Sequence, residues 1–275
     1  MQWALIVAGV ILAFMLTLRL MENAMIYFPV RYPEGFWEPR EFGLPVEDCF
    51  FTTEDGVTLH GWWVHQPGTR QVLLWCHGNA GNLTHRLENI VMLRDEVKVN
   101  VLIFDYRGYG RSEGRPDEPG LYRDARAAYE FLISTKHVEP EQIILFGRSL
   151  GGAVAVDLAC RRPVAGLILE STFTSAKEMA RRVIPLLPVH LVLGVRFDSV
   201  EKIGKLYIPV LIIHGTADEV VPYELGRKLF AAANDPKEFY AIEGADHNNT
   251  YVIGGAAYFA KIREFINRLS ARQTH

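Results

Sequence analysis

Residues 143–152 read IILFGRSLGG, and the following stretch to residue 160 completes GGAVAVDLAC. Four large apolar side chains in a row suit a strand buried on both faces. Small and apolar residues after Leu150 suit a helix that packs closely. Between them lies Gly147-Arg148-Ser149-Leu150-Gly151, a G-x-S-x-G at a strand-to-helix junction. Such a junction is a nucleophile elbow: the turn is so tight that the serine backbone is strained and the hydroxyl stands clear of the sheet. The helix N-terminus adds free N–H groups and partial positive charge for a developing oxyanion. The bare motif is common by chance, and an ordinary glycine-rich turn with an N-cap serine is the competing interpretation. The flanking strand and helix make the motif specific.

Working outward, short apolar runs recur at 57–64, 72–76, 101–105, 164–170 and 209–214. Helical patterns fall between and after them, at 83–96, 121–135, 150–161, 223–233 and 251–269. This alternation predicts an α/β domain with a mostly parallel sheet covered on both faces. Ligands then bind at the carboxyl ends of the strands. The chemically active residues fall there: His77 to Asn82 (HGNAGN), Asp105, Ser149, Asp218 and His247 each follow a strand.

A serine hydroxyl needs a base within hydrogen-bond reach. His247, in GADHN at 244–248, sits in the loop before the last helix and is the expected base. Its imidazole needs a carboxylate to fix the tautomer. Asp218, in HGTADEVVP at 214–222, is the expected acid; Glu170, at the end of the strand after the elbow helix, and Asp246 are rivals. The order Ser, Asp, His is the one this elbow chemistry carries. His214 reads as packing, and His77 as a brace for its loop. The oxyanion donors are expected from the main chain of Leu150 and Asn79. The polar loop DYRGYGRSEG at 105–114 reads as bracing, with Tyr106 on the pocket wall and Phe173 as a second substrate contact. No Lys-Ser/Thr follows HGNAGN, so a phosphate loop is a poor reading.

Two segments fall outside this pattern. Residues 3–18, WALIVAGVILAFMLTL, form an uncharged apolar run of about sixteen residues, roughly 24 Å as a helix against a ~30 Å hydrocarbon core. There is no basic residue before it and no small-x-small site after it, so a membrane-anchoring helix over 1–21 is expected rather than a cleaved signal. Arg19, Arg31 and Arg40 all follow the run, which puts the domain on the cytoplasmic side by the positive-inside rule. Residues 22–46, rich in Pro and aromatics, read as a juxtamembrane linker or as a segment packed on the domain. The domain then spans 47–275, with a lid at about 171–203 that includes IPLLPVHLVL at 184–193. A chain of 275 residues with 49% hydrophobic residues suffices for one such domain. A net charge of −3 without basic runs argues against nucleic acid as a partner. Three scattered cysteines carry neither a disulfide framework nor a zinc pattern.

Taken together, HGNAGN, DYRGYGRSEG, GRSLGG, HGTADEVVP and GADHN resemble the α/β-hydrolase family over roughly residues 47–270, most of all the branch of Bem46-type proteins and membrane-associated protein depalmitoylases. HGTADEVVP is also similar to prolyl-oligopeptidase-type enzymes, whose propeller domain has no counterpart here. The resemblance implies an acyl-enzyme mechanism on an ester, thioester or amide, with no cofactor and no metal. A lipid or acyl-ester substrate at a bilayer is the expected partner. The apolar helix stands where the depalmitoylases carry a lipidated cysteine-rich segment, a departure that argues against a palmitoyl-protein substrate. A non-catalytic membrane scaffold of the same fold is the contrasting possibility.

Overall fold

A computed structural model of the protein describes residues 2–183, 190 and 193–272. Helix α1 (Gln2–Ile26) leads into a two-residue strand β1 (Phe28–Pro29). Then come β2 (Glu47–Thr52), β3 (Thr58–Val64), β4 (Val72–Cys76), β5 (Ala80–Gly81), α2 (Leu87–Met92), β6 (Asn100–Phe104) and α3 (Glu118–Ser134). The second half runs β7 (Ile143–Arg148), α4 (Leu150–Ala159), β8 (Gly166–Glu170), α5 (Ala176–Val183), α6 (Ser199–Ile203), β9 (Val210–Gly215), α7 (Tyr223–Ala232), β10 (Lys237–Ile242) and α8 (Thr250–Arg272).

The main sheet has the order β10-β9-β8-β7-β4-β6-β3-β2. All its pairs are parallel except β2–β3 and β3–β6. Because side chains alternate along a strand, each strand feeds two cores. Leu74, Leu102, Leu145, Leu167 and Ile212 point into one, closed by α3, α4, α6 and α7. Trp75, Ile103, Phe146, Ile168 and Ile213 point into the other, closed by α2 and α8. A helix buried all round is needed beneath the elbow, and α4 is buried at every position from Leu150 to Leu158. Gly151 permits this approach, since a Cβ there would run into the Cys76 carbonyl. The strand order reverses beside β4, where β6 lies on one side and β7 on the other. The carboxyl ends of β4 and β7 therefore flank the topological switch point at which such sheets bind ligands.

Among the described residues no helix is long and apolar enough to cross a membrane. The expected spanning anchor over residues 1–21 is thus not found. At the far end of α1, Arg19 and Glu22 end the apolar run, and Glu22, only 3% exposed, is buried against the domain. Residues 27–37 pack onto the domain too. Tyr27 is buried, β1 pairs in parallel with β5, and the Trp37 ring meets Trp62 edge-on. Of the expected lid over about 171–203, residues 171–183, 190 and 193–203 are described, while most of the apolar stretch 184–193 lies outside the described residues.

Candidate active site

Ser149 occupies the turn between β7 and α4 with φ 52° and ψ −119°. A non-glycine residue at positive φ and such a ψ is strained, and the strain is what projects its side chain. The loop after β4 runs alongside: a Cβ on Gly78 would lie 3.6 Å from the Ser149 Cβ. Leu150, as the first residue of α4, has an N–H with no intrahelical partner.

Asp218 and His247 come from the loops after β9 and β10. The His247 Nδ1–H donates to Asp218 Oδ2 at 2.8 Å. A carboxylate is an acceptor only, so this bond puts the proton on Nδ1 and leaves Nε2 as the acceptor. Asp218 Oδ1 accepts the N–H groups of Val220 (3.0 Å) and Val221 (2.8 Å). Burial alone would raise the Asp218 carboxyl. Hydrogen bonds from His214 and His247 outweigh it and hold the group well below the usual carboxylate range. The histidine loop is tied to the elbow by Arg148, whose Nη2 donates to the His247 carbonyl at 2.6 Å and to Asn248 Oδ1 at 3.2 Å.

The rival acids are engaged elsewhere. Glu170 is fully buried and accepts from Thr250 Oγ1 (2.5 Å) and Tyr258 OH (2.6 Å), with Arg148 Nε 3.4 Å away. Asp246 caps its own turn through the N–H groups of Asn248 and Asn249. His214, read from sequence as packing, lies 3.4 Å from Asp218 Oδ2, while its Nε2 bonds the Val221 carbonyl at 2.8 Å. It braces the Asp218 turn. The signal for it was its place at a strand end, four residues before the acid.

Asn79 is held at three points. Its carbonyl accepts from Phe28 N–H (3.2 Å) and Tyr109 OH (2.7 Å), and its side-chain amide donates to the Ile26 carbonyl at 2.8 Å. Tyr106 does not line the cavity at Ser149, contrary to the sequence expectation. It is fully buried beneath the loop, donating its hydroxyl to the His77 carbonyl at 2.9 Å. The ring is needed as a floor, tilted against the His77 imidazole with centroids 4.5 Å apart. Below it, Asp105 accepts the Leu83 N–H at 2.8 Å and faces His77 Nε2 at 3.6 Å. Burial pushes the Asp105 carboxyl up to about 8 and the His77 imidazole down to about 3, so both are neutral near pH 7.

Ser149, Leu150 and Asn79 open onto a cavity of about 300 Å³. Its walls are mostly apolar: Phe173, Met179 and Val183 from the segment after β8, Val220 and Val221 from the acid turn. Leu18, Glu22, Met25 and Ile26 of α1 close it. Phe173 thus lines the cavity. The α1 residues were missed, because an apolar run near a chain terminus reads as an anchor before it reads as a wall. Among the described residues no group of three or more His, Cys, Asp or Glu side chains is placed to hold a metal ion.

An elbow serine and a carboxylate-bound imidazole, both at the carboxyl edge of a mostly parallel sheet, define a hydrolase-type site. The sequence profile of the alpha/beta hydrolase family matches residues 57–197. Protein bem46 of Schizosaccharomyces pombe is 35% identical over 256 residues, covering 88% of this chain and 84% of its own. Human alpha/beta hydrolase domain-containing protein 17B is 35% identical over 223 residues, covering 80% of this chain and 75% of its own. The chain belongs to the alpha/beta hydrolase family, in its Bem46-like branch. An esterase of Pyrococcus furiosus superposes with a TM-score of 0.75 at 21% identity, covering 88% of this chain and 98% of that one, a likeness of fold.

Proposed function

We propose that the chain is a serine hydrolase that cleaves carboxylic esters or thioesters of apolar acyl chains through an acyl-enzyme. Ser149 is the nucleophile, His247 the base and Asp218 the residue that orients it. His247 Nε2 takes the hydroxyl proton as Ser149 Oγ attacks the carbonyl carbon. The tetrahedral oxyanion rests on the main-chain N–H groups of Asn79 and Leu150. Collapse breaks the bond to the leaving alcohol or thiol, which takes the proton from His247. Water then attacks the acyl-serine by the same path, giving its proton to His247, and the acid leaves as Ser149 regains its hydrogen.

The observation that carries this reading is the Asp218–His247 hydrogen bond of 2.8 Å, joined through Arg148 to an elbow serine that lines an apolar cavity. Such walls favour acyl carbons over polar groups, at about 0.8 kcal/mol per buried methylene. The exposed apolar side chains of α1, among them Trp3, Val10, Leu16 and Leu20, support attachment to a lipid surface that would present such substrates. Hydrolysis of p-nitrophenyl esters of increasing chain length tests the assignment. The wild type is expected to cleave them with kcat/KM rising with acyl length, and Ser149→Ala to lose turnover. Equal turnover in the variant, or cleavage confined to the shortest ester, contradicts it.

A further inference from the structure

One carboxylate in the cavity wall has no role in the chemistry above. Leu18, Glu22, Met25 and Ile26 fall at helical spacing on one face of α1 and all line the cavity. Three are apolar; Glu22 is not, yet it is almost wholly buried. A buried carboxylate costs several kcal/mol unless its lone pairs are filled. Here they are filled by the far limb of the lid. Both Glu22 oxygens accept the Gly194 N–H at 3.0 Å, and Oε1 also accepts the Val195 N–H at 2.6 Å. Arg19 Nη1 donates to Oε2 from the next turn of the helix. The guanidinium lies so close over Gly194 that a Cβ there would overlap it. Leu193 and Phe197, on either side of the clasped residues, line the cavity as well.

We propose that Glu22 is a positioning residue for acyl-chain selection: it clasps the lid limb at Gly194 and Val195 to α1, so that helix and lid close the acyl pocket as one wall. The inference rests on the ester-hydrolase reading. It follows from what the clasp holds. Without it, Leu193 is free to leave the α1 stripe, while Phe197 stays held by Glu118, Tyr122 and Phe173, and the pocket opens on the Leu193 side, where the distal carbons of a long acyl chain would lie. The carbonyl end of the substrate, at Ser149, is set by the elbow and by the Asn79 loop, which Tyr109 and Phe28 hold independently of Glu22. Loss of the clasp therefore falls on long chains more than on short ones. The same helix end holds Asn79 through the Ile26 carbonyl, which keeps the wall in register with the elbow loop.

The test uses the full chain in detergent, with p-nitrophenyl acetate and p-nitrophenyl decanoate as substrates. The readout is the ratio of their kcat/KM values. Loss of charge-assisted hydrogen bonds in Glu22→Ala is expected to lower the decanoate-to-acetate ratio about tenfold or more, with the loss in the decanoate KM. Glu22→Gln turns an amide NH2 toward donors, and Gly194→Ala displaces the Arg19 guanidinium. Both are expected to lower the ratio by a smaller factor, and they decide the matter if Glu22→Ala does not fold. A ratio unchanged in all the folded variants, whether both substrates lose activity equally or neither does, overturns the proposal. Labelling of the wild type by a fluorophosphonate separates the two layers. A labelled wild type with unchanged ratios removes the clasp alone, and an unlabelled wild type removes the serine mechanism beneath it.

Discussion

Asp218 accepts four contacts on two oxygens, and that full set decides what the neighbouring imidazole can do. With Nδ1–H committed to the carboxylate, Nε2 is left to take a proton. Asp218→Asn presents an NH2 where an acceptor stood and favours the other tautomer, so kcat is expected to fall by about four orders of magnitude while the fold persists. Steady-state kinetics with circular dichroism checks this, and a loss of less than about tenfold contradicts the assigned role. Asp105 makes a different prediction. Its carboxyl is raised to about 8 by burial, whereas an exposed aspartate ionises near ~3.9. Between those values the folded chain holds a proton that the unfolded chain has lost. Stability from this group therefore declines as pH rises across that window and levels off above it. Asp105→Asn keeps an acceptor for the Leu83 N–H and cannot ionise. Its urea midpoint is expected to drop less between pH 5 and pH 8 than that of the wild type. His77, neutral in both proteins at these pH values, cancels in the comparison. Equal drops would show that Asp105 is ionised in the fold.

At the level of elements, the elbow strand and the histidine loop are joined by Arg148 rather than by packing alone. Its guanidinium bonds the His247 carbonyl and Asn248, and backs onto the buried Glu170. Arg148→Ala is expected to cost about 2–4 kcal/mol in urea denaturation, because Glu170 is left buried without its cation. It is also expected to lower kcat, with Arg148→Lys recovering part of both. Unchanged stability and turnover in Arg148→Ala contradicts the tie. The parallel strands around the elbow were legible as apolar runs because each is buried on both faces. The edge strand β2 was not: it opens with Glu47-Asp48 and buries only Cys49 and Phe51, so its pattern is brief and its acids read as loop. The expected helix over 83–96 divides into a 3₁₀ turn at Leu83–Arg86, α2 and a π turn at Leu93–Val97. The first of these is set by Asn82, which caps the turn in a reciprocal box with His85. Ser149, Asp218 and His247 could be read because each follows a strand in a distinctive setting. The tie made by Arg148 could not, since it depends on contacts with the His247 loop about a hundred residues further along the chain.

For the whole molecule, the N-terminal helix joins two surfaces. One face of its C-terminal third closes the cavity at Ser149, and apolar side chains described outside that face are exposed, with Leu16 59% and Leu20 78% exposed. Sequence periodicity records the apolar run but not which of its residues meet the domain, so pocket wall and exposed apolar surface looked alike. Replacing Leu16 and Leu20 by Glu removes apolar contact worth about 1.5–3 kcal/mol per side chain. The double variant is expected to lose most of its co-flotation with anionic liposomes while its thermal midpoint moves little. Flotation equal to that of the wild type would mean that this face does not meet lipid. All of this presupposes that the elbow hydroxyl is the reacting group. Incubation with a fluorophosphonate, proteolysis and mass spectrometry locate the adduct directly. The account predicts one adduct, on the peptide carrying Ser149, formed slowly or not at all in His247→Ala; no adduct, or an adduct on another residue, contradicts it.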